Sequence, residues 1–514
     1  MKRRDFIKAL TALSVAGSQM PLLAINRNRS LAKPTNTNWD SNRILILIKL
    51  NGGNDGLNTI IPIGDSRYYS ARPKLAIAAE DAIVIDNDTA LNPQMGDLKT
   101  LFDNNKMGVI QGVGYPNANL SHFRSGDIWA TGSPANEYWQ TGWLGRLFAT
   151  EYPNLPDGAP EHPIAVQMNS ANILEFQTEE TNVATMTFGA DWMYWLIKEN
   201  YIDDITGTQP DTYGGAELAY VRGLDVSTFE YSKVVYDAAV AGKNNENYPD
   251  TDLGNQLSTV AKLISGGLTT PVYRLYLHGF DTHSQQPDDQ PPLLKQLSEA
   301  IGAFLKDIES QENIAEENIM IMTTSEFGRR VYENGSEGTD HGTSFPVMII
   351  GSGVNAGFYG TNPDLSDLDA DNNMKIQYDF RQIYSTFIDE WFGLSKQTAE
   401  SVFQGSFTNI PFIKDPILST ENINTVPKSF KVAAAFPNPF NPVTTIKFTL
   451  PNESPVNINI FDTTGRIIEK INLGKFQSGT HLHKIDGSNW SSGIYIIQVE
   501  ANSETLSQRV SLVK

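Results

Sequence analysis

Histidines and carboxylates set the chemistry available to this chain of 514 residues, which contains seven His and no Cys. Without thiols, the chain cannot form disulfides, thiolate metal sites or a cysteine nucleophile, so a metal would need imidazole, carboxylate, amide or hydroxyl ligands. Four of the five histidines in the middle of the chain lie in short polar segments that also carry Asp or Glu. These four are His122, His278, His283 and His341.

The polar segments stand next to apolar runs of strand length. Such runs, alternating with longer helical patterns, predict an α/β fold with a largely parallel sheet and helices on both faces. Ligands collect at the carboxyl ends of parallel strands, so the residues directly after each strand matter most. The predicted strands are Ile44–Leu50, Gly108–Val113, Val272–Leu277, Asn318–Thr323 and Val347–Gly351.

Acidic side chains share these segments with the histidines. Asp55 follows the first predicted strand, Asp281 the third and Glu326 the fourth, and Asp340 precedes His341 just ahead of the fifth. Carboxylates and imidazoles meeting at one sheet edge are ligands that zinc, manganese, magnesium or calcium can use. Paired ions of this kind lower the pKa of a bound water or clamp a phosphoryl or sulfuryl group.

Two further residues have competing interpretations. Ser121 directly precedes a predicted helix over 122–131, where it is either the N-cap or a nucleophile or metal-facing hydroxyl. Arg329 either grips an anionic substrate or pairs with the abundant carboxylates. No G-x-S-x-G elbow, Walker loop or H-E-x-x-H motif occurs, which disfavours lipase-like, nucleotide-cleaving and zincin functions.

The formal charge of −20 is concentrated in the middle of the chain. Residues 33–428 carry −27, whereas both ends are basic. Phosphate backbones are held by clustered Lys and Arg, so nucleic acid is not expected as a partner and local cations are.

The first 32 residues have the pattern of an export signal. Lys2, Arg3 and Arg4 precede an apolar run that Gly17 and Pro21 interrupt, so no stable transmembrane span is expected in the mature chain. The paired arginines resemble a twin-arginine signal, which implies the twin-arginine translocase as a partner and passage through the periplasm.

The last residues form a separate module. Residues 415–428 are predicted to be a linker, and 429–514 alternate apolar and polar residues over short strands, which predicts an antiparallel β-sandwich. The motif Phe436–Pro442, followed by Asp462–Arg466 and Ser492–Tyr495, resembles the type A sorting domain of the type IX secretion system. That resemblance implies the type IX machinery as a partner and a cell-surface or extracellular location. An immunoglobulin-like binding module is the alternative.

The middle domain, predicted over 33–414, also resembles a known family. Its segments Asn51–Thr59, Ser121–Gly132, His278–His283, Ser325–Arg329 and Asp379–Tyr384 look like the bacterial domain-of-unknown-function family 1501. That family is similar to the alkaline phosphatase and sulfatase superfamily. The resemblance implies one or two divalent metals at the sheet edge, with a Ser, Thr or modified residue between them.

Carried over position by position, the resemblance makes Asp55 the acidic ligand after the first strand and Ser121 the nucleophile. Asp281 and His283 become the central ligand pair, and His341 the late histidine ligand.

One departure from the superfamily pattern bears on the number of metals. Glu326 and Phe327 stand where the superfamily commonly has Asp-His, and a phenylalanine cannot ligate a metal. Either one of two sites is incomplete, or Asp340 substitutes, or the protein holds a single metal or none.

The sequence therefore predicts an exported, metal-dependent hydrolase-like protein that acts on phosphate or sulfate esters. In this hypothesis Ser121 is catalytic, Asp55, Asp281, His283, Glu326, Asp340 and His341 bind metal, and His122, His278 and Arg329 bind the anionic ester. The alternative is a surface-anchored binding or structural protein on a degenerate hydrolase scaffold, which Phe327 favours.

Overall fold

The computed structural model describes residues 42–152, 160–168, 174–178, 185–188, 231, 233–417, 430–432, 435, 438–501 and 504–514. The predicted export signal at 1–32 and most of the predicted linker at 415–428 lie outside these residues. The chain divides into two compact units, Met1–Ser419 and Thr420–Lys514.

The first unit is built on a mixed β-sheet whose central strands are almost entirely apolar. Its strands, with those of two small sheets, are in chain order β1 (Ile44–Asn51), β2 (Ile60–Ile61), β3 (Ile83–Val84), β4 (Ala90–Leu91), β5 (Met107–Gly114), β6 (Ala165–Met168), β7 (Thr185–Phe188), β8 (Val272–His278), β9 (Ile319–Thr324), β10 (Gly328–Glu333), β11 (Thr339–Gly342), β12 (Phe345–Ile350), β13 (Gly357–Tyr359) and β14 (Tyr378–Asp379).

The main sheet has the order β13-β5-β12-β9-β1-β8-β6-β7, with β14 also paired to β5. The central strand β1 runs parallel to β8 and to β9, which confirms the predicted largely parallel sheet. The fifth predicted strand is an exception, because β12 runs antiparallel to both β5 and β9. Since β1, β8 and β9 run in one direction, their carboxyl ends lie together at one edge.

Helices cover both faces of this sheet, as predicted. They are α1 (Ser66–Ala71), α2 (Gly96–Asp103), α3 (His122–Thr131), α4 (Trp143–Glu151), α5 (Asp252–Ser265), α6 (Gln286–Glu309), α7 (Phe380–Thr386) and α8 (Lys396–Phe403). Leu45 and Leu47 of β1 pack in one apolar core with residues of α3, α4, α7 and α8, whereas Ile46 and Ile48 pack in a second with α2, α5 and α6. Alternate residues of one buried strand thus enter two cores.

The second unit is an antiparallel module, as predicted. Its strands are β15 (Lys431–Val432), β16 (Val443–Leu450), β17 (Ser454–Asp462), β18 (Ile467–Phe476), β19 (Gly479–Asp486), β20 (Gly493–Ala501) and β21 (Glu504–Leu512). They form sheets of order β15-β16-β19 and β18-β17-β20-β21. Alternating residues of both sheets, such as Ile446, Phe448, Ile458 and Val499, share one core.

Within the described residues, none of the helices combines the length and the apolar character that crossing a bilayer requires.

Candidate metal centre

The loop after β1 makes a close approach that only glycine permits. Gly52 and Gly53 have φ values of +128° and +89°, in the region that side chains with a Cβ rarely adopt. A Cβ on Gly52 would lie 2.3 Å from the backbone nitrogen of Asp281, and one on Gly53 would lie 2.5 Å from the Phe327 ring. The Asn51-Gly-Gly turn therefore lets the segments after β1, β8 and β9 meet.

Three predicted ligands meet at this edge with one atom each. His283 Nε2 lies 2.8 Å from His341 Nε2, and Asp281 Oδ1 lies 3.1 Å from the first and 3.3 Å from the second. Ligands at about 2.0–2.1 Å from a tetrahedral zinc are separated by roughly 3.3 Å, and cis ligands of an octahedral ion by roughly 2.9 Å. The three atoms thus have the spacing of a tridentate metal site.

The outer nitrogens of the two imidazoles fix their tautomers. His341 Nδ1 lies 2.7 Å from the carbonyl oxygen of Leu120, and a carbonyl can only accept, so Nδ1 carries the proton. His283 Nδ1 lies 3.2 Å from Asp340 Oδ1 and donates in the same way. In the neutral rings both Nε2 lone pairs therefore face each other and the Asp281 carboxylate. A shared cation would relieve this repulsion, and orientation of ligating histidines by carbonyls and carboxylates is typical of metal sites.

His122, at the start of α3, lies between two carboxylates. Its Nδ1 donates to Glu326 Oε1 at 2.8 Å, and its Nε2 is 3.3 Å from Asp281 Oδ2. The hydrogen bond to Glu326 raises the pKa of His122. Burial acts to raise the pKa of Glu326, but the bond from His122 and the charge of Lys49 outweigh it, so that pKa is lowered. This pair favours an imidazolium beside a carboxylate.

Arg329 holds Asp281 from the protein side. It is fully buried, and its guanidinium donates to Asp281 Oδ1 at 2.7 Å and to the carbonyl oxygens of Gly52, Gly53, Phe280 and Thr339. Burial opposes ionisation of Asp281, but Arg329 lowers its pKa overall. Arg329 is thus placed to orient a ligand, and its predicted contact with substrate gains no support from this position.

Phe327 forms an apolar wall behind the histidines. Its ring centroid lies 4.2 Å from that of His341 and 4.8 Å from that of His122. Burial lowers the pKa of His341, which favours the neutral ring that binds metal. The residue that breaks the superfamily pattern therefore packs against two members of the cluster.

Asp55 lies apart from this cluster, in a buried ion pair. Its Oδ2 accepts from Arg72 Nη1 at 2.5 Å and its Oδ1 accepts from Nη2 at 3.0 Å, while Gln286 also donates to Oδ2. Both side chains of the pair are fully buried. The structure thus gives Asp55 a structural partner, and its predicted role as a metal ligand gains no support.

Three other predicted site residues lie at the margin of the cluster formed by Asp281, His283 and His341. Ser121 is the N-cap of α3 by position but makes no capping hydrogen bond with its side chain, and it is exposed between Leu120 and His122. His278 Nδ1 lies 3.3 Å from Asn51 Nδ2, and the His278 ring stacks on the Tyr276 ring. Asp340 contacts the outer nitrogen of His283, so it orients that ring from behind.

Among the described residues, His122, Asp281 and His341 also have ligand atoms that all lie within 4.8 Å of one another. His283 joins this cluster, since its Nε2 lies 2.8 Å from His341 Nε2. The part of the chain that the structure describes therefore offers one metal centre, without a second ligand set beside Phe327.

Comparison with known families agrees with both resemblances. Residues 239–403 match the family model described as protein of unknown function (DUF1501). The matched stretch includes Asp281, His283, Glu326, Asp340 and His341. The DUF1501 resemblance is thus supported over residues 239–403. Residues 434–513 match the model of the secretion system C-terminal sorting domain, which implies export to the cell surface or beyond by a type IX system. No curated protein matches this chain.

Solved structures show distant likenesses. A phosphonate monoester hydrolase from Silicibacter pomeroyi is 10% identical with a TM-score of 0.31, over 92% of this chain and 89% of that one. An immunoglobulin-like β-sandwich protein of the DUF3244 family from Bacteroides vulgatus is 14% identical with a TM-score of 0.12, over 16% of this chain and 92% of that one. PorZ, a type IX secretion component of Porphyromonas gingivalis, is 22% identical with a TM-score of 0.13, over 20% of this chain and 14% of that one. TM-scores this low establish no shared function.

The sequence did not single out the groups that orient the cluster. The Leu120 carbonyl carries no signal in its residue type, and Arg72 lies outside every chemical motif. The paired glycines after β1 were a usable signal, because two adjacent glycines at a strand end indicate a close backbone approach.

Proposed function

We propose that the DUF1501 domain of this exported protein binds one transition-metal ion through Asp281, His283 and His341 and hydrolyses phosphate or sulfate esters at the cell surface. The observation that carries the proposal is the pair of Nε2 lone pairs, fixed in tautomer from behind, that face one carboxylate oxygen. Two imidazoles and one carboxylate suit zinc or iron better than magnesium or calcium, which prefer oxygen ligands.

Such a site supports hydrolysis because three protein ligands leave a coordination position open. A bound ion would supply Lewis acidity and a water of lowered pKa. His122 lies beside the ligands and, as an imidazolium, would donate a hydrogen bond to an anionic ester. Ser121 is exposed between two residues that contact the cluster, and it remains the candidate nucleophile.

The test is metal content followed by turnover. Protein purified without chelator is expected to hold about one equivalent of metal by elemental analysis. Asp281→Asn and His341→Ala are each expected to lose it, whereas Asp371→Asn, a change on an exposed loop, keeps it. Aryl phosphates and aryl sulfates then measure activity. Equal background rates in the wild type and in both ligand variants contradict the hydrolase proposal even if metal is bound.

A second candidate is a non-catalytic surface protein, which Phe327 favours. By the resemblance to the superfamily, Phe327 stands where a metal-ligating histidine is common, and a single metal ion also serves structural roles. Ser121→Ala separates the two functions. If stoichiometric metal is present and neither the wild type nor Ser121→Ala turns over any ester, the scaffold interpretation stands.

A further inference from the structure

A second polar site lies on the sheet face beneath α3. Along β1, Leu45 and Leu47 pack in an apolar core, but the next residue on that face is Lys49. The same change occurs on β9, where Met320 and Met322 precede Thr324. On β8, Arg274 lies beside Leu47 in the register of the two strands. On this face of the sheet, the side chains are thus apolar at the start of each strand and polar near its carboxyl end.

Lys49, Arg274 and Thr324 line a cavity whose empty volume of about 390 Å³ includes open solvent at its mouth. Gly126 and Trp129 of α3 and Glu175 also line it. Arg274, Trp129 and Thr324 are each more than nine-tenths buried.

Three of the side chains that line the cavity have buried hydrogen-bond donors without acceptors. Arg274 Nη1, Trp129 Nε1 and Thr324 Oγ1 are buried and make no hydrogen bond within the described residues. Arg274 Nε forms an ion pair with Glu175 Oε2 at 2.5 Å, and this contact does not involve Nη1. A buried donor without a partner destabilises the fold, and more so when it is charged.

Lys49 adds a positive charge to these donors. Its ammonium is attracted by Glu326 and Asp127, but among the described residues it has no hydrogen bond or ion pair within contact distance. Burial lowers the pKa of Lys49, since the ammonium has lost water without gaining a direct carboxylate partner. Glu175 is engaged by Arg274 and Glu326 by His122, so the cavity carries an excess of positive donors.

We propose that this cavity binds a small oxyanion, namely a carboxylate, sulfate or phosphate group, through Lys49, Arg274, Trp129 Nε1 and Thr324 Oγ1. Oxyanion oxygens accept several hydrogen bonds at once, and charge-assisted bonds of this kind are the strong ones. The site is separate from the metal ligands and does not depend on the proposed hydrolysis.

The test titrates the full chain, freed of metal by a chelator, with sodium sulfate in a calorimeter. Saturable one-to-one binding is expected in the wild type. Lys49→Met is expected to weaken it about tenfold or more, because one charged donor is lost. Lys262→Met is the matched control, since it makes the same charge change on the exposed side of α5 and leaves affinity unchanged. Parallel titrations with phosphate and acetate assign the class of oxyanion.

One further variant keeps the result decisive. Trp129→Phe retains an aromatic ring and removes the N–H, so it should weaken sulfate binding several-fold, and it decides the question if Lys49→Met fails to fold. Absence of saturable binding by all three anions, or wild-type affinity in both the Lys49 and the Trp129 variants, would each overturn the proposal.

Discussion

At the scale of single residues, the proposed metal centre depends on atoms that contact the candidate ligands from behind. Asp340 accepts from His283 Nδ1, which turns Nε2 towards His341. We expect Asp340→Ala to lower metal affinity about 10–100-fold, because such orienting partners typically contribute that much. Competition with a chromophoric chelator measures this. Asp371→Ala, the same change at an exposed loop residue, is the control. Unaltered affinity in Asp340→Ala would show that the His283 ring is held by other contacts.

The sequence predicts which side chains lie together better than it predicts what each one contacts. Asp281, His283 and His341 are predicted ligands, and the structure brings them within contact of one another. Asp55 is predicted for the same reason, a carboxylate at a strand end, but Arg72 sits 17 residues further on and pairs with it in the interior. Residue type and strand position do not reveal such a partner, since it comes from a loop whose path only the tertiary structure sets.

At the scale of elements, the turn after β1 positions the centre. A Cβ on Gly52 would meet the backbone of Asp281 and Phe280, which cannot rotate away as a side chain would. Gly52→Ala is therefore expected to destabilise the domain by about 2 kcal/mol or more, and to weaken metal binding as Asp281 shifts. Urea denaturation and chelator competition measure the two effects.

The control for this change is Gly96→Ala at the start of α2. A Cβ there meets no atom within 4 Å, and its φ is not positive, so the stability should change by no more than about 0.5–1 kcal/mol. If both alanine variants unfold at the same urea concentration, the close approach at Gly52 does not constrain the fold.

The main strands were predictable because each is a continuous apolar run bounded by polar residues. The predicted Val272–Leu277 is observed as β8 (Val272–His278), and the helix over 122–131 is α3 with the same bounds. The antiparallel direction of β12 was not predicted, since an apolar run has the same pattern in either direction. Lys49 and Arg274, the two charges inside the predicted strands, indicated polar positions in the sheet, but their residue types alone could not locate the cavity.

At the scale of the whole molecule, the two units have separate apolar cores. The sandwich core contains residues from Phe430 onwards, whereas the cores on the sheet faces end at Ile413. Units with their own cores fold with little mutual dependence. Sorting and chemistry are thus expected to be separable, each carried by its own unit.

A chain that ends at residue 428 tests this separation. We expect it to bind the same metal stoichiometry as the full chain, because Asp281, His283 and His341 all belong to the first unit. In a bacterium with a type IX secretion system, the shortened chain should stay inside the outer membrane, since it lacks the matched sorting residues 434–513. Protease accessibility on intact cells, with the full chain as the control, reports its position. Surface exposure of the shortened chain would mean that the first unit carries an address of its own, and loss of metal would mean that the sandwich supports the centre.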